Sequence, residues 1–227
     1  MDLESFDIIK TVDKHRKFWK PENVRIMLLA ESHVHTLMDE HSNFMKYDGF
    51  GDLEECPSNY VKLVYCLGYG ENDLVKSNIN GRTWQFWRIF TSCVNENPSS
   101  QFGKVESKET PSFAKRLQNK INLLKKLKEN GIWLVDASIV ALYKNNSKPD
   151  EKISERIIRM SWDQHIAQIV QEEKPEKIIV IGKGVSKALQ GRLHSTNIPI
   201  YVQEQPRMLS SEKWKEYAEK YYELCNS

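Results

Sequence analysis

Little in the sequence announces a class at once. Four cysteines, Cys56, Cys66, Cys93 and Cys225, stand apart with no C-x-x-C spacing, which gives a zinc ribbon or a compact cysteine-ligated cluster little support. A reduced intracellular chain is the default. No apolar stretch approaches the roughly 20 residues that cross a bilayer, and the acidic start from Met1 to Asp7 lacks the positive charge of a signal or transit peptide. A cytoplasmic protein with no membrane partner is expected. Charge of one sign is also missing: 33 lysines and arginines face 31 aspartates and glutamates. That balance allows a local basic face without identifying a nucleic-acid-binding chain. At 227 residues the chain can bury a full core without metals or disulfides. The reading is a single domain over 1–227 with a loop-rich insertion at about 36–101.

What is present is organised around Val24 to His35. The apolar run Val24-Arg25-Ile26-Met27-Leu28-Leu29-Ala30 stops at Glu31-Ser32-His33-Val34-His35. A short run apolar on both faces reads as a parallel strand covered by helices on both sides. Ligands of open parallel sheets bind outside the carboxyl ends of the strands, so this cluster is either a site or an ordinary strand-to-helix turn. Three further runs repeat the pattern. Ile132-Trp133-Leu134-Val135 ends at Asp136-Ala137-Ser138, Lys177 to Ile181 runs into Gly182-Lys183-Gly184, and Pro199 to Val202 leads to Gln205 and Ser210. The glycine turn can present N–H groups to an anion or merely allow tight packing, and the Walker spacing G-x-x-x-x-G-K-[ST] is absent.

Between the strands, helical spacing is expected over Leu3–Phe18, with Leu3, Phe6, Ile9 and Val12 inward, and over about Pro111–Asn130 and Ser154–Glu173. A helix beginning near Thr83 carries a core stripe of Trp84, Trp87, Phe90 and Val94, leaving Phe86 off it and able to face a ligand. Residues 101–110 read as a loop. The lysines and arginines of the 111–130 helix, Arg116 and Lys120 among them, form a solvated face or a track for a phosphate backbone. Strands alternating with helices predict an α/β fold, a three-layer α/β/α sandwich on a four-stranded parallel sheet. Its polar strand ends would gather along one edge.

The order and content of these motifs resemble the uracil-DNA glycosylase superfamily, whose fold is such a sandwich with the base pocket at the strand ends. Where its best-known branch has G-Q-D-P-Y-H, this chain has Ala30-Glu31-Ser32-His33-Val34-His35. L-L-L-N-A becomes Trp133-Leu134-Val135-Asp136-Ala137, and H-P-S-P-L-S becomes Gln205-Pro206-Arg207-Met208-Leu209-Ser210. Ser32 stands at the usual aspartate position, and Gln205 replaces a histidine. Another branch has G-E-A-P-G, closer to Glu31-Ser32, but carries an iron–sulfur cluster on paired cysteines with no match here.

The resemblance implies a divergent DNA glycosylase that hydrolyses the N-glycosidic bond of a damaged or altered base, acting on single- or double-stranded DNA as a monomer without cofactor or metal. It places Glu31, Ser32 and Gln205 at the catalytic centre. Asp136, Phe86 and His35 would bind the base, and Arg207, Ser210 and Lys183 the DNA phosphates. Asp136 in place of an amide lacks the N–H donor that a uracil O4 wants and would instead accept from an amino group. Two other readings stand beside this one. The first is a non-catalytic nucleic-acid-binding or interaction protein on the same fold. The second is a metal-dependent hydrolase built on His33-Val34-His35 with Glu31, Asp39, Glu40 and His41, although four strands are too few for the eight-stranded barrel such a pair opens.

Overall fold

The first three apolar runs are buried on both faces because helices cover the sheet above and below, whereas in the fourth, at the sheet edge, Tyr201 and Val202 are exposed. The computed structural model describes residues 4–227 other than 48, 51–52, 76–83, 107, 144–146, 148 and 206–210. Helix α1 (Phe6–Phe18) leads to β1 (Ile26–Ala30) and the short α2 (Met38–His41). Then follow α3 (Trp84–Val94), α4 (Pro98–Gly103), α5 (Phe113–Glu129) and β2 (Ile132–Asp136). Helix α6 (Glu151–Ser161) passes through a π-helical turn, Trp162–Ile166, into α7 (Ala167–Glu173). Strand β3 (Lys177–Ile181), α8 (Lys183–His194), β4 (Ile200–Gln203) and α9 (Ser211–Asn226) complete the described elements.

Among the described residues the strands form one all-parallel sheet in the order β2-β1-β3-β4. The fold is therefore the expected three-layer α/β/α arrangement. Its register pairs Ala30 with Asp136, Leu29 with Val180 and Ile181 with Gln203. The carboxyl ends of all four strands consequently lie level, and the residues just beyond them share one edge.

Three local expectations shift. In α1 the inward stripe is Ile8, Val12, His15 and Arg16, while Phe6 is exposed. Polar groups can face inward here because each finds a partner: His15 Nε2 lies 3.0 Å from the Asn59 carbonyl and Arg16 reaches Asp136. Leu3 lies outside the described residues. In α5, Arg116 and Lys120 are buried with the apolar stripe rather than solvated. Arg116 Nη2 is 2.6 Å from Glu71 Oε2, and Lys120 meets the other oxygen of the same carboxylate. Within the 101–110 stretch, α4 extends as far as Gly103 before the chain turns.

Between β1 and α3 the described residues have little regular structure beyond α2, yet the stretch 60–69 is core. Tyr60, Val61, Leu63, Val64, Tyr65, Cys66, Leu67 and Tyr69 are all buried. Tyr65 shows why: its hydroxyl accepts the Leu134 N–H at 2.8 Å and its carbonyl accepts Trp19 Nε1 at 3.1 Å. An edge strand needs a partner for its outward N–H groups, and this side chain supplies one to β2. The Trp87, Phe90 and Val94 stripe is buried as expected, with Trp84 half-buried.

Candidate functional site

Glu31 is the first residue beyond β1 and is almost fully buried. Tyr143, from the loop after β2, donates its hydroxyl to Glu31 Oε2 at 2.8 Å. The two loops are fastened around this contact. Val34 bridges Tyr143 in parallel fashion, the His35 N–H donates to the Tyr143 carbonyl at 3.0 Å, and Ser32 Oγ accepts the Leu142 N–H at 3.2 Å. Glu31 and Ser32 are thus held by backbone pairing on both sides.

The other half of the site comes from β3 and β4. Gly182 has φ +108°, a conformation that L side chains rarely adopt, and its N–H donates to the Gln203 carbonyl at 2.7 Å. A Cβ at Gly182 would lie 3.7 Å from Gln205 Cγ, and one at Gly184 would lie 3.9 Å from Glu31 Oε1. Glu31, just after β1, and Gln205, just after β4, therefore approach the first turn of α8, 12 residues long. The positive end of that helix favours a carboxylate beside it. Lys183, the first residue of α8, is exposed and pairs with the exposed Glu204 at 2.5 Å, a surface contact worth little energy that a phosphate can replace.

Beside this edge lies a buried chain of alternating charges. His33 Nε2 is 2.7 Å from Glu4 Oε2, His33 Nδ1 is 3.4 Å from Asp136 Oδ2, and Arg16 Nη2 is 2.9 Å from that same oxygen. The Nδ1 contact is an ion pair rather than an aligned hydrogen bond. Glu4 also accepts the backbone N–H of Thr36 at 2.7 Å and of Ala141 at 3.3 Å. Burial opposes the charge on His33, but the Asp136 and Glu4 carboxylates outweigh it and push its pKa up to about 9. Burial likewise opposes ionisation of Glu4 and Asp136. His33, with the backbone N–H groups at Glu4 and Arg16 at Asp136, reverses that and holds both carboxyls below the usual range. The four formal charges cancel, which is what lets them stay buried.

Glu31, Ser32 and Gln205 thus lie along one edge, as expected from sequence. Asp136 ends β2 as its last strand residue, and its carboxylate serves Arg16 and His33 at 3 % side-chain exposure, closed off from a ligand. His35 is half-buried in the fastened loop. Phe86 is half-buried against the core on α3 rather than at a strand end. Arg207 and Ser210 lie outside the described residues. Of the histidine–carboxylate group, His33 binds Glu4 and His41 Nε2 lies 3.0 Å from Thr11 Oγ1. Among the described residues no three or more His, Cys, Asp and Glu side chains are arranged to hold a metal. Sequence reasoning missed Glu4, Arg16 and Tyr143. Only Arg16 carried a signal, since it falls four residues after Val12 and eight after Ile8 on the buried stripe.

A shallow groove lies at the opposite end of the sheet, lined by Glu22, Arg25, Lys125, Lys128 and Glu129. Its charges are mixed, and Arg25 Nη2 and Lys128 Nζ are already bound to the Cys225 and Phe18 carbonyls. The carboxyl edge, with its converging polar side chains, is the better candidate. No protein-family model, curated protein or solved structure matches the chain.

Proposed function

We propose that the chain is a divergent DNA glycosylase-like protein that hydrolyses the N-glycosidic bond of a damaged or altered base in DNA. The observation that carries this reading is the approach of Glu31 and Gln205, 174 residues apart in sequence, to the first turn of α8. The resemblance of the strand-end motifs supports the same chemistry. DNA is then the partner, and the working unit is a cytoplasmic monomer.

A glycosylase draws the target base out of the stack before cleaving it. Hydrolysis joins a water oxygen to the sugar carbon as the bond from that carbon to the base nitrogen breaks, and one water proton ends on the base. Glu31 is the group suited to orient that water or to stabilise positive charge on the sugar, because Tyr143 fixes its carboxylate. The Gln205 amide can donate a hydrogen bond to the departing base without carrying charge. Lys183, exposed at the start of α8, suits a phosphate. Asp136 favours a second reading: its closure by Arg16 and His33 withholds a base-reading carboxylate, as in a fold kept for recognition alone.

The test incubates the protein with single- and double-stranded oligonucleotides, each holding one uracil, hypoxanthine, xanthine or mismatched cytosine, followed by alkali. The expected result is strand cleavage at one base that Glu31→Gln abolishes while the variant still unfolds cooperatively. Binding without cleavage at any base would favour the recognition reading. Absence of both would remove DNA from the account.

A further inference from the structure

Three aromatic rings, from α3, α4 and α9, surround one cation. The Arg88 guanidinium carbon lies 4.9 Å from the ring centroid of Trp84, 4.7 Å from that of Phe102 and 5.0 Å from that of Trp214. Phe102 and Trp214 are buried and Trp84 is half-buried. Among the described residues the guanidinium has no hydrogen-bond or ion-pair partner: its Nε is buried and unpaired, while Nη1 and Nη2 stay open to solvent. We infer that Arg88 is a clamp for one backbone phosphodiester of a single nucleic-acid strand, an inference that rests on reading DNA as the partner of the strand-end edge.

The cage belongs to that edge. Helix α9 follows β4 and ends at the opposite end of the strands, where Arg25, just before β1, donates from Nη2 to the Cys225 carbonyl at 2.6 Å. Helix α3 runs beside it in the same direction, since Arg88 meets Trp214 near the start of α9 and the Cys93 carbonyl accepts Asn226 Nδ2 at 3.0 Å near its end. A short chain of contacts joins the cage to the strand ends. The Tyr217 hydroxyl donates to the carbonyl of Glu204, the neighbour of Gln205, at 2.6 Å. The Tyr217 and Trp214 rings stand 5.6 Å apart, and Trp214 faces Arg88.

Aromatic faces attract a cation but accept nothing from its N–H groups in the manner of an oxygen. The Nη1 and Nη2 donors are therefore free to meet two oxygens of one anion, the bidentate match that arginine makes with phosphate. The rings hold the side chain before a ligand arrives, so little of its freedom is lost on binding. Arg16 and Arg116, the other buried arginines, each pair with a carboxylate. At Arg88 burial opposes the charge and lowers the pKa, and Glu106 offsets this from beyond ion-pair distance. A phosphodiester supplies the missing counter-charge at contact. A strand laid along the edge carries one phosphate per nucleotide, and the exposed Lys183 at the start of α8 offers a second cation to it.

The experiment takes two readouts on the full chain. The first follows the Arg88 Nε–H signal by NMR, assigned by its absence in Arg88→Lys, during titration with dimethyl phosphate and separately with acetate. Dimethyl phosphate should shift the signal saturably, and acetate at equal concentration should shift it less. The second measures anisotropy of a labelled single-stranded thymidine oligonucleotide between about 50 and 200 mM salt. Arg88→Lys keeps a cation among the rings but loses the fork, and should weaken binding about tenfold. Arg88→Met, an unbranched side chain that packs on aromatic rings, should weaken it at least as much and reduce the slope of log K against log salt by about 0.7, one phosphate contact to a single strand. A packing role alone would move the melting temperature and leave affinity and slope unchanged. That result in both variants overturns the inference, as do an Arg88 signal unmoved by dimethyl phosphate, acetate acting as strongly, or no binding of the oligonucleotide by the native chain. Base excision decides the glycosylase reading separately: cleavage with Arg88 indifferent removes the clamp and keeps the enzyme, and binding through Arg88 without cleavage at any base does the reverse.

Discussion

Two buried histidines, one on each side of their ordinary pKa, should give the chain a stability maximum near pH 6.5. His33 is raised from 6.5 to about 9 by Asp136 and Glu4 against the cost of burial. Its contribution is complete below pH 6.5 and is lost as pH rises through 9, because over that interval the folded chain holds a proton that the unfolded chain has released. His15 is the opposite case. Burial lowers it from 6.5 to about 4, against the Asn59 carbonyl and with help from His41. Its contribution is complete above pH 6.5 and is lost as pH falls towards 4, where the unfolded chain takes a proton that the folded chain refuses. Each limb is worth about 3 kcal/mol at 1.36 kcal/mol per pKa unit, a large share of the 5–15 kcal/mol that typically holds a domain together. The assay is urea unfolding followed by tryptophan fluorescence at pH steps from about 4.5 to 9.5. His15→Gln keeps a donor for the Asn59 carbonyl and should flatten only the acid limb. Glu4→Gln removes one of the two carboxylates beside His33 and should shrink only the alkaline limb. A native profile flat across this range, or a variant acting on the other limb, would refute the reasoning.

Glu71→Gln leaves Arg116 and Lys120 buried without their shared carboxylate. Loss of one partner from a buried pair costs about 3–5 kcal/mol, and calorimetry should show the melting temperature falling by roughly 10 °C. Gly182→Ala forces an L residue to φ +108° at the β3–α8 turn. It should cost about 1–3 kcal/mol in chemical unfolding and shift Gln205, lowering any base excision more than DNA binding. Asp136→Asn strips Arg16 and His33 of their common counter-ion. The expected outcome is a loss of about 3–5 kcal/mol and a lowered His33 pKa by NMR titration, with base preference unchanged; a switch of preferred base at full stability would return Asp136 to the base-reading role.

The strands were legible because each is a short apolar run bounded by polar residues or proline; burial on both faces accounts for the first three, while the edge strand β4 kept its apolar run with Tyr201 and Val202 exposed. The helices were legible in extent but not always in orientation. Helix α5 carries Arg116 and Lys120 at positions that read as surface, and Glu71, 45 residues before Arg116 in the chain, is the carboxylate they share when turned inward. Helix α1 turns His15 and Arg16 inward for the same kind of reason. Periodicity counts apolar residues, so a buried polar residue is invisible to it until its partner is known. The segment from Tyr60 to Tyr69 was illegible for a different reason: its burial comes from packing against β2 and Trp19 without regular hydrogen bonding, and no period marks it.

The strand-end residues divide by where their partners come from. Glu31, Ser32 and Gln205 are positioned by chain that lies at the same edge: Tyr143 and Leu142 after β2, and the glycine turn after β3. His33 and Asp136 are positioned by Glu4 and Arg16, from α1 and the residues just before it. Neutralising a buried charge with a distant carboxylate or guanidinium fixes the loop that carries it, but also takes the group out of contact with a ligand. The Glu31 carboxylate is instead fastened by a hydroxyl from its own edge, which orients it. Of the two acidic residues at the ends of β1 and β2, Glu31 is therefore held from its own edge and Asp136 from α1, although the two look alike in sequence.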